Sequence, residues 1–271
     1  MSWQGVTREE GHFSAIVLAG TRVEGDPVAE AARVTHKCLA QAAGVPMLQR
    51  VVEALAASQD VGNIVISLED AALLERLPSL GPLIRDRRFS TVRSGATPAL
   101  SALAAIEAPA AKVPLLVTTG DHPLLQAALV ERFCAEARSQ RADVVVALAP
   151  ATVIQAAYPD TRRTFFKFGD GRYCGCNLFA FLSTEGLRAI EFWRGVERNR
   201  KRPLRIARAF GVMAMIEYVA GRLTVDAAMR RISRTLGVRA AAIVLPVAEA
   251  AIDVDKPADL ELVERILRQR G

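Results

Sequence analysis

The sequence has little of several features that would indicate a protein class at once. Among its 271 residues are 4 cysteines and 3 histidines, and aromatic residues make up 6%. The longest apolar runs, at 209–220 and 240–252, are interrupted by Glu217 and Glu249 and are shorter than the roughly 20 residues that span a bilayer. The 18 glycines and 13 prolines are too few for a fibrous or low-complexity chain. We therefore expect a globular protein without a transmembrane helix.

The cysteines and the first residues exclude two further possibilities. Only Cys174 and Cys176 lie close together, and no second pair or nearby histidine completes a four-ligand zinc site. On a strand, both thiols would point to one face as small apolar side chains. Arg8, Glu9 and Glu10 come before any apolar run, so no secretory signal is predicted. These observations favour a cytoplasmic protein.

The net charge is mildly positive and unevenly placed. Lys+Arg number 35 against 29 Asp+Glu, which gives +6, and seven of the basic residues lie in 194–208 beside a single acidic residue, Glu197. Three interpretations stay open for this segment: a solvated helix face, a patch for a phosphate group, or peripheral contact with an anionic membrane through 194–220. Nucleic acid is not an expected partner, because the overall charge is mild and no recognition motif for DNA or RNA is present.

Short apolar runs alternate with segments of helical spacing in the first half of the chain. The runs are typical of strands that are covered on both faces of a parallel sheet, and they lie at 14–20, 63–68, 114–119 and 143–147. The helical segments lie at 47–58, 71–77, 98–108 and 124–140. This order predicts an α/β fold in three layers, with a Rossmann-like, mostly parallel sheet flanked by helices.

The pattern changes after about residue 155. A strand is predicted at 173–181, a long helical stretch at 184–237, another strand at 241–247 and a final amphipathic helix at 257–269. We find no internal repeat and no low-complexity linker. The sequence therefore predicts one domain over residues 1–271, with 184–237 as a helical insertion before its last strand.

The loop after the first strand is a candidate binding site. In an open α/β sheet, ligands bind beyond the carboxyl ends of the strands. Gly20 permits close approach of a ligand, and Arg22 and Lys37 can donate to phosphate. The glycines fit neither the dinucleotide fingerprint nor a P-loop.

Four motifs resemble those of the MobA-like nucleotidyltransferases, which are NTP transferases on the GT-A-type fold. Residues 18–22 (LAGTR), Lys37 and 44–48 (GVPML) are similar to the family's opening pattern LAGG-x-G-x-R-M … K … GKPML. The chain departs from it in having Thr21 for the second glycine and in a longer loop before Lys37. The other three motifs are RSGATPALS at 93–101, similar to the base-binding segment; TGDHP at 119–123, similar to GD-x-P; and DVDKPADL at 253–260, similar to DIDTPEDL.

The resemblance implies roles for particular residues in a transfer that depends on Mg²⁺. Asp121 would bind the metal together with Asp255 or, alternatively, Asp253, while Lys37 and Arg22 would contact the triphosphate. The residues implied at the nucleotide base are Leu18, Ala19, Gly20, Thr21, Gly95 and Ser101. The candidates for binding the acceptor are Lys167, Tyr173 and Asn177.

Each of these roles has a structural alternative. Asp121 and Asp255 could each cap a following helix, since aspartate shortly before proline is a helix-start signal. Tyr173 could be an aromatic residue at the rim of the core and Asn177 a bulge residue. His36 and His122 are not expected to act, because an acceptor phosphate is already an anion and needs no general base.

The resulting hypothesis is a nucleotidyltransferase. It would move NMP from an NTP, with CTP or GTP favoured, to a sugar-, polyol- or cofactor-phosphate and release pyrophosphate, by positioning and charge neutralisation. Two alternatives stay open. One is a glycosyltransferase that uses a nucleotide sugar, and the other is a nucleotide-binding protein of the same fold that does not catalyse.

Overall fold

The molecule is described here by a computed structural model, over residues 11–21, 25–85, 88–198 and 212–270. Within these residues the strands are β1 Phe13–Leu18, β2 Gln41–Ala42, β3 Val45–Pro46, β4 Val61–Leu68, β5 Phe89–Arg93, β6 Leu115–Thr119, β7 Val144–Pro150, β8 Phe166–Phe168, β9 Gly171–Phe181 and β10 Ala240–Val244. The α-helices are α1 Pro27–Ala31, α2 Met47–Ala57, α3 Gly81–Ile84, α4 Pro98–Ile106, α5 Ala127–Ser139, α6 Ala151–Ala157, α7 Arg188–Arg198, α8 Val212–Val219, α9 Val225–Leu236 and α10 Pro257–Arg270.

One sheet organises the fold. Its strand order is β10-β7-β9-β6-β1-β4-β5, and β8 pairs with β9. Strands β5, β4, β1 and β6 are parallel neighbours, as are β7 and β10, whereas β9 is antiparallel to both β6 and β7. The predicted mostly parallel α/β fold is therefore confirmed, with one strand inserted in the opposite direction.

Helices cover both faces of the sheet. Strand β1 shows why its sequence is apolar throughout: Ala15 and Val17 lie in the core that includes α2 and α5, while Ile16 and Leu18 lie in the core that includes α4 and α7. Successive side chains of a strand point to opposite faces, so a strand between two helical layers needs an unbroken apolar run. This arrangement is the three-layer architecture that the sequence predicts.

The described elements depart from the sequence-based expectations in several places, and the elements that were not predicted are α1, α3, α6, β2, β3, β5 and β8. Residues 71–77 were predicted to form a helix, and the structure has a 3₁₀-helix at Ala71–Arg76. Asp70 caps its start, because the Asp70 side chain accepts a hydrogen bond from the Ala72 N–H. Strand β5 was not predicted, because its sequence FSTVR has two apolar residues among five and neither an apolar run nor a strict alternation.

Helices α7, α8 and α9 lie between β9 and β10, where the sequence predicts a helical insertion. In the part of the chain that the structure describes, no helix is both long and apolar enough to cross a bilayer. Cys174 and Cys176 are both buried on β9, as the alternation of strand side chains predicts.

Candidate active site

The loops after four neighbouring strands meet at the carboxyl edge of the sheet. Backbone hydrogen bonds continue beyond the strand ends: Ala19 N–H donates to the Ser67 carbonyl at 2.8 Å, and Gly120 N–H donates to the Leu18 carbonyl at 2.9 Å. Parallel strands end at one edge, so residues far apart in sequence are brought together there. The Cβ of an alanine at Gly120 would lie 3.1 Å from Ala19 Cβ, which shows how closely the β1 and β6 loops pack.

Lys37 connects two of the segments at this edge. It begins the 3₁₀-helix Lys37–Leu39, and its Nζ donates to the Asp121 carboxylate and lies 3.4 Å from Asp255 Oδ1. The Lys37 and Asp121 side chains are 15% and 16% exposed, and that of Asp255 is 49% exposed. Burial lowers the pKa of Lys37, but the two carboxylates outweigh that effect and raise it, so the ammonium stays charged.

Asp121 does not cap the helix that follows it. Helix α5 begins at Ala127, and its N-cap position is occupied by Gln126. One carboxylate oxygen of Asp121 meets Lys37, while its Oδ1 is buried without a hydrogen-bond partner among the described residues. The backbone also joins this loop to the 253–260 segment, because Val254 N–H donates to the Asp121 carbonyl at 2.9 Å.

Asp253 has different partners from Asp255, although the sequence leaves both open as metal ligands. Its Oδ1 accepts from Arg163 Nη1, and its Oδ2 accepts from Asn177 Nδ2 at 2.8 Å. Burial raises the pKa of Asp253 to about 6, against the opposing effect of the Arg163 charge. The structure therefore brings Asp255 to Asp121 and Lys37, and gives both oxygens of Asp253 to other side chains.

The loop after β1 packs against the loops after β4 and β5. The Thr21 N–H donates to the Glu69 carboxylate, and the Cβ of an alanine at Gly20 would lie 3.0 Å from Ser94 Cβ. Leu18 and Ala19 bury their side chains in the protein interior. Gly20 is the exposed residue of this segment, and Thr21 is half-buried.

Ser101 and Gly95 form a closed contact at the start of α4. The Gly95 N–H donates to Ser101 Oγ at 3.0 Å, while Thr97 Oγ1 accepts from the Leu100 N–H and caps the helix. Ser101 is 4% exposed. Its hydroxyl thus fixes the shape of the turn, and the turn rather than the hydroxyl is presented at the edge of the sheet.

The three residues implied for the acceptor occupy one β-hairpin but different positions on it. Lys167 is exposed on β8, and Tyr173, on β9, donates its hydroxyl to the Asp170 carbonyl at 3.3 Å. Asn177 lies at an irregularity of the β7–β9 register with a φ of 49°, so it is a bulge residue. Its amide reaches Asp253, which places Asn177 nearer than the other two to the 253–260 segment.

Some predicted residues lie outside the described ranges. Arg22 is one of them, as are five basic residues of the 194–208 segment: Arg200, Lys201, Arg202, Arg205 and Arg208. The described part of the membrane-contact interpretation is 194–198 and 212–220, where α8 exposes Met213, Ile216 and Val219.

Two residues near the site carry no motif and were missed from the sequence. Glu69 binds the Thr21 N–H, and Arg163, between α6 and β8, binds Asp253. His122 is buried and its Nε2 lies 3.0 Å from the Glu249 carbonyl, while His36 Nδ1 lies 2.9 Å from Thr35 Oγ1.

Comparison with known proteins supports the likeness in fold and motifs. The family of the MobA-like NTP transferase domain matches residues 15–202. A hypothetical transferase from Thermus thermophilus is 32% identical, with a TM-score of 0.77 over 92% of this chain and 99% of that one. No curated protein sequence matches the chain.

Two solved structures of lower identity share the fold. One is the 4-diphosphocytidyl-2C-methyl-D-erythritol synthase of Anaerococcus prevotii, with 12% identity and a TM-score of 0.57 over 96% of this chain and 97% of that one. The other is a CMP:2-keto-3-deoxy-manno-octonic acid synthetase in complex with CTP, with 14% identity and a TM-score of 0.56 over 96% and 100%.

Proposed function

The chain belongs to the MobA-like NTP transferase family, and we propose that it transfers NMP from an NTP to a phosphorylated small molecule. CTP or GTP is the donor in this proposal, a sugar-, polyol- or cofactor-phosphate is the acceptor, and pyrophosphate is released. The observation that supports it best is the contact of Lys37 Nζ with both Asp121 and Asp255 at the carboxyl edge of the sheet. One cation and two carboxylates are thereby concentrated where α/β proteins bind ligands.

The chemistry needs positioning more than it needs an acid or a base. An oxygen of the acceptor phosphate forms a bond to the α-phosphorus of the NTP, and the bond from that phosphorus to the bridging oxygen of pyrophosphate breaks. The attacking group is already an anion at neutral pH. The Lys37 ammonium, kept charged by its carboxylate neighbours, would hold the triphosphate oxygens and offset the charge that develops on the leaving group.

Asp121 and Asp255 fit the requirements of Mg²⁺. Both carboxylates lie close to the same atom, Lys37 Nζ. In the described residues, Asp121 Oδ1 is buried and has no hydrogen-bond partner. Magnesium in such sites is held by one or two carboxylates together with substrate phosphates and water. Among the described residues, no three Asp, Glu, His or Cys side chains form a metal-binding group. The chemistry that bound Mg²⁺ supplies is neutralisation of phosphate charge.

The remaining residues divide between the two substrates. The backbone of 18–21 and the turn held by Gly95 and Ser101 would face the nucleotide base. Lys167, Tyr173 and Asn177 would face the acceptor from the β8–β9 hairpin. One solved structure that shares the fold contains CTP, so CTP is the first donor to test.

The test is a pyrophosphate-release assay with each of the four NTPs against a panel of phosphorylated acceptors, with and without Mg²⁺. We expect release with CTP or GTP only when Mg²⁺ is present. Asp121→Asn should lower the rate by about 100-fold or more, since it removes a group that stabilises the transferred charge. Asp160→Asn, at an exposed carboxylate for which the described residues show no contact with Lys37, Asp121 or Asp255, serves as the matched control and should leave the rate unchanged.

Other results of this assay would contradict the proposal. Folded protein that releases no pyrophosphate under any combination would refute it. Release of a nucleoside diphosphate from a nucleotide sugar would favour a glycosyltransferase instead. Binding of NTP without turnover would favour a protein that binds nucleotide and does not catalyse.

A further inference from the structure

Arg163 is a buried cation that no motif accounts for. It lies in the segment between α6 and β8, and its side chain is 6% exposed. Its guanidinium donates to the carboxylate of Asp253 through Nη1 and to the carbonyl of the same residue through Nη2. Nη2 also lies 3.6 Å from Asp259 Oδ1. One arginine therefore binds both ends of the turn from 253 to 259.

Asp259 connects this arginine to Asp255. Its Oδ2 accepts from the N–H of Asp255 at 3.0 Å and from the N–H of Lys256 at 2.9 Å. It is 9% exposed and lies in the first turn of α10, where a carboxylate is favoured by the free N–H groups of the helix start. The backbone that carries Asp255 is thus held by Asp259, and Asp259 faces Arg163.

The opposite side of the turn is held as well. Asn177 donates to Asp253 Oδ2, and the N–H of Val254 donates to the carbonyl of Asp121. The Asp255 side chain is itself about half exposed, and its Oδ1 lies 3.4 Å from Lys37 Nζ. Its approach to Asp121 and Lys37 then depends on where the backbone of the turn is placed.

We infer that Arg163 is a positioning residue for the transfer reaction, which sets the Asp255 carboxylate against Asp121 and Lys37 by fixing the turn from both ends. This inference rests on the proposed function. Stability alone is a poor reason for such a residue, because replacing a buried ion pair by packed apolar side chains is often neutral or stabilising. A residue that orients a metal ligand, by contrast, typically costs 10–100-fold in affinity or activity when it is changed.

The test compares Arg163→Met and Arg163→Lys with Arg162→Met, a matched control at the exposed neighbouring arginine. Two properties are measured: binding of Mn²⁺ followed by electron paramagnetic resonance, and kcat and KM for pyrophosphate release. We expect Arg163→Met to weaken Mn²⁺ binding and to lower kcat by about tenfold each, with a much smaller change in the KM for NTP. Arg163→Lys, which keeps the charge but not the paired donors, should lie between wild type and Arg163→Met.

Each variant is then repeated in an Asp255→Asn background. If Arg163 acts through Asp255, its replacement should weaken Mn²⁺ binding no further there, since effects of coupled residues do not add. An undiminished effect in that background would overturn the inference, as would wild-type Mn²⁺ binding and kcat in both Arg163 variants. Should Arg163→Met not fold, Arg163→Lys decides by the same criteria. Absence of pyrophosphate release by the wild-type protein would refute the proposed function, while the Mn²⁺ comparison would still decide the role of Arg163.

Discussion

The start of β7 offers a prediction in which structure and pH are linked. The Asp143 carboxylate accepts from the Arg239 N–H at 2.8 Å, from Arg239 Nη2 at 2.8 Å and from the Ser183 hydroxyl at 3.0 Å. It therefore joins β7 to the segment after β9 and to the residue before β10. The hydrogen bonds from the Arg239 side chain are the main reason why the pKa of Asp143 is lowered to about 2.

The size of the effect follows from this pKa. A shift from 3.8 to about 2 would correspond to about 2 kcal/mol of folding free energy at neutral pH, because one pKa unit is about 1.4 kcal/mol. The Arg239 side chain is 66% exposed, so solvent screens the pair and we expect about 1 kcal/mol. The folded-state pKa lies below the unfolded one, so the unfolded chain binds the proton first as the pH falls. The stabilisation is therefore complete above about pH 5 and is lost as the pH falls from about 4 to about 2.

Urea unfolding of wild type and Asp143→Asn between pH 7 and about pH 2.5 measures this directly. We expect Asp143→Asn to be less stable by about 1 kcal/mol at pH 7, and this difference to shrink as the solution becomes acidic. Asp160→Asn should follow wild type throughout. A difference in stability between wild type and Asp143→Asn that stays constant over the whole pH range would refute the reasoning. The contribution of Asp143 would then not depend on the charge of its carboxylate.

Two further predictions concern the site. Asp255→Asn should abolish pyrophosphate release with little change in melting temperature, because this side chain is about half exposed while its Oδ1 lies 3.4 Å from Lys37 Nζ; retained release, or a clear fall in melting temperature, would contradict this. Gly95→Ala should raise the KM for NTP, because its Cβ would lie 2.6 Å from Leu100 Cβ and displace the turn, while Gly175→Ala, whose Cβ meets nothing within 4 Å, is the matched control.

The sequence predicts the parallel part of the sheet because burial on both faces leaves a direct trace. Runs such as 14–20 and 114–119 are apolar without alternation, and they form β1 and β6, which pair in parallel. An edge strand leaves no such trace. Strand β5 has polar residues on its exposed side, which is why its sequence resembles that of a loop.

The residues of the candidate site also fall into those that the sequence predicts and those that it does not. Lys37, Asp121 and Asp255 lie in short motifs, each at a strand end or a helix start, and the structure brings them together. Glu69 and Arg163 lie in no motif, because their contacts join residues 48 and 90 positions apart. Only the folded chain shows that these side chains face the site.

The position of β9 connects these observations. Local periodicity predicts a strand at 173–181 but contains nothing about its neighbours, and β9 lies antiparallel between β6 and β7. That placement brings Asn177, at the bulge, next to Asp253. Asn177 and Arg163 each donate to one oxygen of the Asp253 carboxylate. The choice between Asp253 and Asp255, open from the sequence, therefore depends on the same long-range arrangement as the direction of the strand. In the sequence motif the carboxylates of Asp253 and Asp255 are equivalent. Only in the folded sheet does Asp253 pair with Arg163 and Asp255 with Lys37.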